Sequence, residues 1–306
     1  MVRAYLLLTI TMVLFSGNIL VGKAINDLPP VTITFIRCVI AFMILLPLSF
    51  YQLKNNHTVL KKEWKPIVGQ AMTGIVLFNV FLYSSLQYTT STNVAIVEAT
   101  TPVFTVLLAI FILKEQLHRL QYVGVFLSLL GAIWVITEGS WQALLAIQFN
   151  RGDLLVLIAV IAWAIYSLLV KQHGHKYPLY ASLTVMIAIA IVVLFPFALY
   201  EWRDGLISLL EPTLILGLLY LGIFPSVIAL LFWNKGVAAI GPSRASIFLN
   251  LLPVFTIVGA VVFLGETVTV IQLIGGVLVI GGVYLSTKEH AASSPQQVVG
   301  KKALDR

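Results

Sequence analysis

The sequence predicts an all-α polytopic membrane protein in which ten transmembrane helices form two inverted five-helix repeats. Composition, recurring apolar runs and an internal repeat lead to this prediction. Of the 306 residues, 59% are hydrophobic and 10% are charged, and the mean hydropathy is +1.00. A soluble domain carries about 25% charged residues. Because so few charges cannot cover a water-exposed surface, a soluble enzyme, a nucleic-acid-binding protein and a disordered chain are excluded.

Long apolar runs recur along the whole chain, each suited to one crossing of about 20 residues. The longest connections between them are residues 52–66 and 139–152. The first run lacks a clear cleavage site, so we interpret it as a retained span and not as a signal peptide. The predicted spans are residues 4–22, 31–51, 67–86, 92–113, 121–138, 153–171, 179–200, 213–234, 243–264 and 269–287.

The positions of Lys and Arg predict the orientation, because cytoplasmic loops carry an excess of both. An even number of spans places both termini on one side. With the termini in the cytoplasm, 15 of the 19 basic residues lie inside, 3 lie outside, and Arg37 lies within a span. We therefore expect both termini to be cytoplasmic. The same distribution explains the net charge of +7 without an acidic partner.

The chain repeats itself at an offset of 151 positions. The tetrapeptide PVFT occurs at residues 102–105 and 253–256, and the same offset pairs Glu115 with Glu266. Near the start of the repeats the offset is 148, which pairs Phe15 with Trp163. Five spans per repeat invert the second copy relative to the first, the usual architecture of secondary transporters. The predicted units are 4–138, a connecting loop 139–152, 153–287, and a disordered cytoplasmic tail 288–306.

Two charged residues fall well inside predicted spans, Arg37 and Glu98. A charge at the bilayer centre costs at least about 2.5–3.5 kcal/mol, so it normally faces the bundle interior or a watery cavity. Glu98 is therefore the candidate for a cavity-facing carboxylate and for proton coupling. For Arg37 four interpretations stay open: snorkelling to the outer interface, bracing a carbonyl, contacting substrate, or pairing with Glu98.

The fourth and ninth predicted spans carry the same stripe of small or polar residues. Pro102 and Pro253 remove the hydrogen bonds to the carbonyls of Glu98 and Leu249, and so predict matched kinks. Interrupted helices at corresponding positions point to a transporter site, although small residues also serve close helix packing. The stripe is Ser91, Ala95, Glu98, Pro102, Thr105 and Ala109, and then Pro242, Ser246, Leu249, Pro253, Thr256 and Ala260.

Amides and aromatic residues at a similar level predict a partly polar, aromatic-walled cavity for a small solute. Each amide can equally join neighbouring helices. The predicted cavity residues are Asn18, Asn79, Tyr83, Glu98, Trp163, Tyr166, Trp233, Asn234, Ser246 and Asn250, with Arg37, Pro102 and Pro253 in structural or gating roles.

Other features predict packing and give no sign of catalysis. Glu115 and Glu266 predict a shared helix-end or loop interaction and no substrate role. One cysteine, Cys38, provides neither a disulfide nor a thiolate cage, and the five histidines lie in loops or the tail, so we expect no metal, cofactor or enzymatic activity. Glycines on the fifth and tenth spans predict close packing within the bundle or in a dimer. They are Gly124, Gly131, Gly275, Gly276, Gly281 and Gly282.

These residues together resemble the EamA family of the drug/metabolite transporter superfamily, over about residues 4–287. The chain departs from the family at Phe15-Ser16-Gly17, where Trp-Gly is common. The resemblance implies an inner-membrane exporter of amino acids, related metabolites or drugs, with a cavity between helices one, three, four, six, eight and nine. It is carried by Gly22-Lys23, Arg37, the run Asn79 to Tyr88, Pro102, Glu115 and Gly124 to Gly131, then Pro253, Glu266 and Gly275 to Gly282.

The predicted function is alternating access by a secondary transporter whose partners are a small-molecule substrate and the lipid bilayer. Proton coupling through Glu98 is part of this hypothesis, and the chain acts as a monomer or homodimer without nucleic acid. A passive facilitator or channel, and a non-transporting membrane scaffold, are the alternatives left open.

Overall fold

The computed structural model describes residues 2–89, 94, 97–115, 119–137, 139–140, 142, 145, 150–204, 211–255, 258 and 270–288. Within these residues all regular structure is helical. The helices are α1 (Val2–Ala24), α2 (Pro30–Lys62), α3 (Trp64–Ser85), α4 (Thr101–Leu113), α5 (Arg119–Ile136), α6 (Arg151–His173), α7 (Leu179–Glu201), α8 (Pro212–Ile240), α9 (Pro242–Ile247, followed by a 3₁₀ turn Phe248–Leu251) and α10 (Val270–Lys288).

Among the described helices, six are long and apolar enough to cross a membrane, and the chain is a multi-pass membrane protein as predicted. They are α1, α2, α3, α6, α7 and α8. Shorter apolar helices cover α4 and most of α5 and α10. Parts of the fourth and ninth predicted spans, and the tail after Lys288, lie outside the described residues. The described residues therefore establish a helical, multi-pass membrane architecture.

α2 extends beyond its predicted end at residue 51, and much of the predicted loop 52–66 is helical. The helix continues to Lys62 through one non-helical residue, Asn56, at φ −117° and ψ 16°. The Asn56 side-chain amide donates a 2.9 Å hydrogen bond to the carbonyl of Gln52. Loss of hydropathy marks where a helix leaves the lipid, but Lys, Gln and Leu continue a helix readily in water.

The helix packing is reciprocal between the two halves of the chain. α2 packs on α7, and α5 packs on α10. The α1–α8 contact is matched by the α6–α3 contact. The α4–α6 contact is matched by the contact of α1 with the 3₁₀ turn that follows α9. Irregular features also match, because α2 and α7 contain Pro47 and Pro196, and α3 and α8 contain π-helical segments at Ala71–Leu77 and Phe224–Ala229. This is the two-fold-like arrangement expected when a duplicated bundle folds on itself.

The glycines of α5 and α10 bring these two helices into backbone contact. A Cβ added to Gly131 would lie 2.8 Å from the carbonyl oxygen of Gly275, and one added to Gly124 would lie 2.6 Å from that of Gly282. Such distances leave no room for a side chain. These four glycines therefore join the last helices of the two halves within one chain.

Candidate functional site

A small pocket lies where α1, α3, α6, α9 and the residues around the start of α4 converge. It has about 20 Å³ of room for the centre of a water molecule, which suffices for about one water. The wall consists of Phe15, Asn18, Ile19, Phe78, Glu98, Thr101, Trp163, Leu249 and Leu252.

Six of these nine wall residues are three repeat-related pairs. One pair is separated by 148 positions and the other two by 151, the offsets found in the sequence. Because both members of each pair face the same space, the pocket lies on the pseudo-symmetry axis between the halves. The pairs are Phe15 with Trp163, Glu98 with Leu249, and Thr101 with Leu252.

Glu98 brings an unsatisfied carboxyl group to this pocket. Its side chain is buried, and its Oε2 atom has no hydrogen-bond partner among the described residues. An unpaired buried carboxyl group is costly in the absence of a ligand. Its position and its lack of partners make Glu98 the strongest candidate for contact with a polar ligand.

Both predicted proline positions coincide with interruptions of the helix. Pro102 lies in the first turn of α4, after a turn at Ala99 and Thr100, and the carbonyl of Glu98 accepts a 2.5 Å hydrogen bond from the Thr101 hydroxyl. Before Pro253 the chain forms a 3₁₀ turn, in which the Leu252 N–H donates to the Leu249 carbonyl. These local bonds satisfy the two carbonyls that the prolines leave without their usual donors.

Aromatic rings enclose the side of the pocket formed by Trp163. The centroid of its ring lies 4.6 Å from that of Phe78 and 5.5 Å from that of Phe15. On its other side Trp163 contacts Tyr166 at 5.2 Å and Trp233 at 5.3 Å. The Trp163 ring lines the pocket, and its indole Nε1, which has no hydrogen-bond partner among the described residues, is an unused donor.

Arg37 is buried inside the protein and does not snorkel to the surface. From α2, its Nη1 atom donates to Asn18 Oδ1 at 3.1 Å, to Asn79 Oδ1 at 2.7 Å and to the Tyr83 hydroxyl. Its Nε atom donates to Ser226 Oγ on α8 at 2.8 Å. No hydrogen bond or ion pair links Arg37 to Glu98 in the described residues. Arg37 thus holds α1, α2, α3 and α8 together.

The Arg37 cluster also fixes the orientation of the Asn18 side chain. Asn18 Oδ1 accepts from Arg37 Nη1 and, at 2.9 Å, from the Tyr83 hydroxyl. Both donors require an oxygen at that position, so the amide NH₂ group must occupy the other. Since Asn18 also lines the pocket, this NH₂ group is a second donor available to a ligand.

A related Asn–Tyr pair occurs in the second half with the residue types exchanged. Asn234 Nδ2 donates to the Tyr166 hydroxyl at 2.7 Å and to the Leu230 carbonyl at 2.7 Å. Tyr166 follows Asn18 by 148 positions, and Asn234 follows Tyr83 by 151. These two residues and Trp233 form a layer behind Trp163 and do not belong to the pocket wall.

The structure places the two remaining cavity candidates outside the pocket wall. Ser246 Oγ donates to the Ser243 carbonyl at 2.9 Å within α9. Asn250 Nδ2 donates to Ser128 Oγ at 2.9 Å and so attaches the 3₁₀ turn to α5. Of the ten predicted cavity residues, Asn18, Glu98 and Trp163 lie in the wall. Asn79 and Tyr83 lie behind it in the Arg37 cluster.

The sequence predicts no site role for Phe78, Thr101, Leu249, Leu252 or Ser226. A signal existed for two of them, because adding 151 to the positions of Glu98 and Thr101 gives Leu249 and Leu252. Ser226 directly follows a proline inside an apolar helix, a position at which a hydroxyl group is conspicuous. Nothing in the sequence distinguishes Phe78 from the other aromatic residues of the spans.

Glu115 makes a helix-end contact away from the pocket, as its position in the repeat predicts. Its Oε2 atom accepts a 2.5 Å hydrogen bond from the Ser243 hydroxyl in the first turn of α9. A carboxylate at a helix N-terminus is favoured by the helix dipole. Its repeat partner, Glu266, lies outside the described residues.

Comparison with known proteins relates the whole chain to membrane transporters. It is 28% identical to an uncharacterized transporter of Archaeoglobus fulgidus over 94% of this chain and 99% of that protein. It is 30% identical to the uncharacterized transporter YetK of Bacillus subtilis, covering 98% of this chain and 92% of that protein. A probable amino-acid metabolite efflux pump of Salmonella typhimurium is 24% identical, over 92% of this chain and 93% of the pump.

The fold has a counterpart among solved structures, and the sequence matches a family twice. One crystal structure aligns with a TM-score of 0.75 and 19% identity, covering 93% of this chain and 96% of that one. The model of the EamA-like transporter family matches residues 2–137 and again residues 150–288. These two matches cover both halves that the internal repeat defines, and this chain belongs to the EamA-like transporter family.

Proposed function

We propose that this protein is a secondary active transporter of the inner membrane that exports small amphipathic metabolites, amino acids among them, by alternating access. The observation that carries the proposal is the pocket between the two halves. Its wall contains repeat-related residues from both halves, so relative movement of the halves changes its shape. The name of the Salmonella relative adds support for amino-acid metabolites as substrates.

The proposal includes ten membrane crossings in two inverted five-helix units, residues 4–138 and 153–287, with both termini in the cytoplasm. Support comes from the excess of basic residues on one side and from the reciprocal helix packing. Lys54 and Arg203 test it. Both are exposed, and they lie 149 positions apart, Lys54 in the last turns of α2 and Arg203 just after α7. Inversion places them on opposite faces of the membrane.

Cysteine labelling tests this topology in a Cys38→Ser background, which removes the native thiol. A membrane-impermeant maleimide should label Arg203→Cys on intact cells, whereas Lys54→Cys should react only after the cells are opened. Labelling of both positions from the same side would contradict the inverted arrangement.

Unsatisfied polar atoms at the pocket also support the proposal. The site buries Glu98 Oε2 and the Trp163 indole Nε1, which have no hydrogen-bond partner among the described residues and which a polar ligand would satisfy. We propose that Glu98 exchanges a proton for substrate between the inward-open and outward-open forms. Glu98 suits this role because a carboxyl group can carry a proton or bind an ammonium group at the same atoms.

Counterflow in proteoliposomes tests the function directly. Vesicles containing purified protein and unlabelled leucine should accumulate labelled leucine transiently, and a pH gradient should drive net movement. Glu98→Gln should abolish proton-driven movement but retain downhill exchange at saturating leucine, because the amide cannot carry the proton. The matched control, Glu63→Gln, removes a carboxylate whose contacts are Lys176 and His173 at the surface, and should behave as the wild-type protein does.

Each alternative gives a different result. A channel gives flux without counterflow accumulation, a passive facilitator gives counterflow but no net movement driven by the pH gradient, and a scaffold gives no flux above that of empty vesicles. Full proton-driven activity of Glu98→Gln would remove the coupling role and leave the transport function standing.

A further inference from the structure

The wall of the pocket is chemically unequal across the pseudo-symmetry axis. On the side of the first half it presents the Glu98 carboxyl group and Thr101. At the repeat-related positions the second half presents Leu249 and Leu252. A duplicated site that has diverged in this way is polar towards α4 and apolar towards α9.

The wall provides an acceptor on the polar side together with one donor from each half. The carboxyl group of Glu98 can bind an ammonium group, while the Asn18 NH₂ group and the Trp163 indole N–H can donate to a carboxylate. No basic side chain belongs to the described wall, and the nearby cation, Arg37, is occupied by Asn18, Asn79, Tyr83 and Ser226. The amine is therefore the ligand group for which the pocket offers a charged partner.

We propose that the pocket binds an amine or amino acid in one orientation, with its ammonium group at Glu98 and its apolar body against Leu249 and Leu252. This inference rests on the transport function proposed above and adds that these two leucines select the side chain of the substrate. An apolar surface discriminates by size, because one methylene group changes the transition-state energy enough for a 10–200-fold preference. The aromatic rings of Phe15, Phe78 and Trp163 flank the ammonium and its neighbouring carbons, a favourable environment for an organic cation.

Substitution of the two leucines tests the proposal by counterflow competition with unlabelled alanine, leucine and phenylalanine. Leu249→Ala and Leu252→Ala should each shift the preference towards phenylalanine over leucine by about tenfold or more, because they widen the apolar side. Leu249→Phe should shift the substrate preference in the opposite direction, towards alanine, because it narrows the apolar side. The control is Leu251→Ala, a buried leucine of the same 3₁₀ turn that does not line the pocket.

The orientation has its own test with amines that lack the carboxylate. Phenethylamine should compete with phenylalanine in the wild-type protein, and Glu98→Gln should lose binding of phenethylamine by about tenfold or more. Tryptophan fluorescence gives a binding readout for variants that bind without transporting.

The outcomes separate this inference from the function on which it rests. Intact counterflow with an unchanged side-chain preference in both alanine variants would overturn the role of the leucines. An equal shift of substrate preference in Leu251→Ala would overturn that role as well, because any leucine of the 3₁₀ turn would then have the same effect. Absence of counterflow in the wild-type protein would contradict the proposed function itself.

Discussion

Arg37 and Ser226 lie 189 positions apart in opposite halves of the chain, and a 2.8 Å hydrogen bond joins the guanidinium Nε to the serine hydroxyl. Ser226 in turn donates to the Leu221 carbonyl within the π-helical region of α8. The bond connects α2 of the first half with α8 of the second. Any movement that separates these helices has to break it.

Replacing Arg37 by lysine should lower the stability of the purified protein. Lysine has three donors at one point and cannot reproduce a planar guanidinium that reaches both α3 and α8. Buried acceptors would then lose their partner, each at a cost of about 1–3 kcal/mol. Thermal unfolding in detergent measures the effect, with Arg203→Lys at an exposed site as control. Equal melting temperatures for both variants would show that the Arg37 cluster does not stabilise the fold.

Replacing Pro102 by alanine should slow transport without unfolding the protein. Alanine restores a backbone N–H that can donate to the Glu98 carbonyl. This bond would compete with the one from the Thr101 hydroxyl. It would extend α4 through the interruption. A continuous helix would hold the Glu98 carboxyl group in a different position. The initial rate of counterflow measures the change, and Pro30→Ala, at the start of α2, is the control. An unchanged rate for Pro102→Ala would mean that the interruption has no part in transport.

Replacing Gly131 by alanine should destabilise the α5–α10 contact. The added Cβ would lie 2.7 Å from the Val279 nitrogen and 2.8 Å from the Gly275 oxygen, so the helices must move apart. Forced overpacking costs about 1–3 kcal/mol. Gly281→Ala is a matched control, because the nearest atom to its Cβ is 4.0 Å away. Thermal stability in detergent should fall for Gly131→Ala, and a loss of the same size in Gly281→Ala would contradict the packing explanation.

Removing the Glu115–Ser243 contact should weaken the junction between α4 and α9. A hydrogen bond to a charged group contributes about 1.5–3 kcal/mol when shielded, and partial exposure of Glu115 reduces the expected coupling to about 1 kcal/mol. A double-mutant cycle of Glu115→Ala and Ser243→Ala measures this coupling by thermal unfolding. Additive losses from the two single variants would show that the contact contributes nothing.

Several site features followed from the sequence because they obey local or repeat rules. The sequence predicts a cavity-facing Glu98, because an isolated carboxylate inside an apolar run must face the bundle interior or a watery cavity. Pro102 and Pro253 predicted interruptions since a missing N–H has the same effect in any helix. Glu115 predicted a helix-end contact through its repeated position. Each of these inferences needs only the position of a residue in its own helix and the offset between the halves.

Other features depended on which side chains meet across helices. Arg37 has equally plausible partners at the interface, at Glu98 or at a carbonyl when the sequence alone is considered. Its contacts with Asn18, Asn79 and Ser226 arise from α1, α3 and α8 converging at one level. Ser246 and Asn250 share the level of the pocket, but the rotation of α9 and the tight turn after it direct their hydrogen bonds to Ser243 and Ser128.

By itself the sequence determined that this chain is a helical membrane protein built from a duplicated unit, because hydropathy and repetition are properties of residues in linear order. It also determined that one carboxylate had to be buried among apolar residues. The tertiary structure alone decided that Glu98 and Leu249 face the same pocket and that Arg37 is occupied by the helices around it. The physical reason is that helix rotation and close packing, and not composition, fix which atoms come within hydrogen-bonding distance.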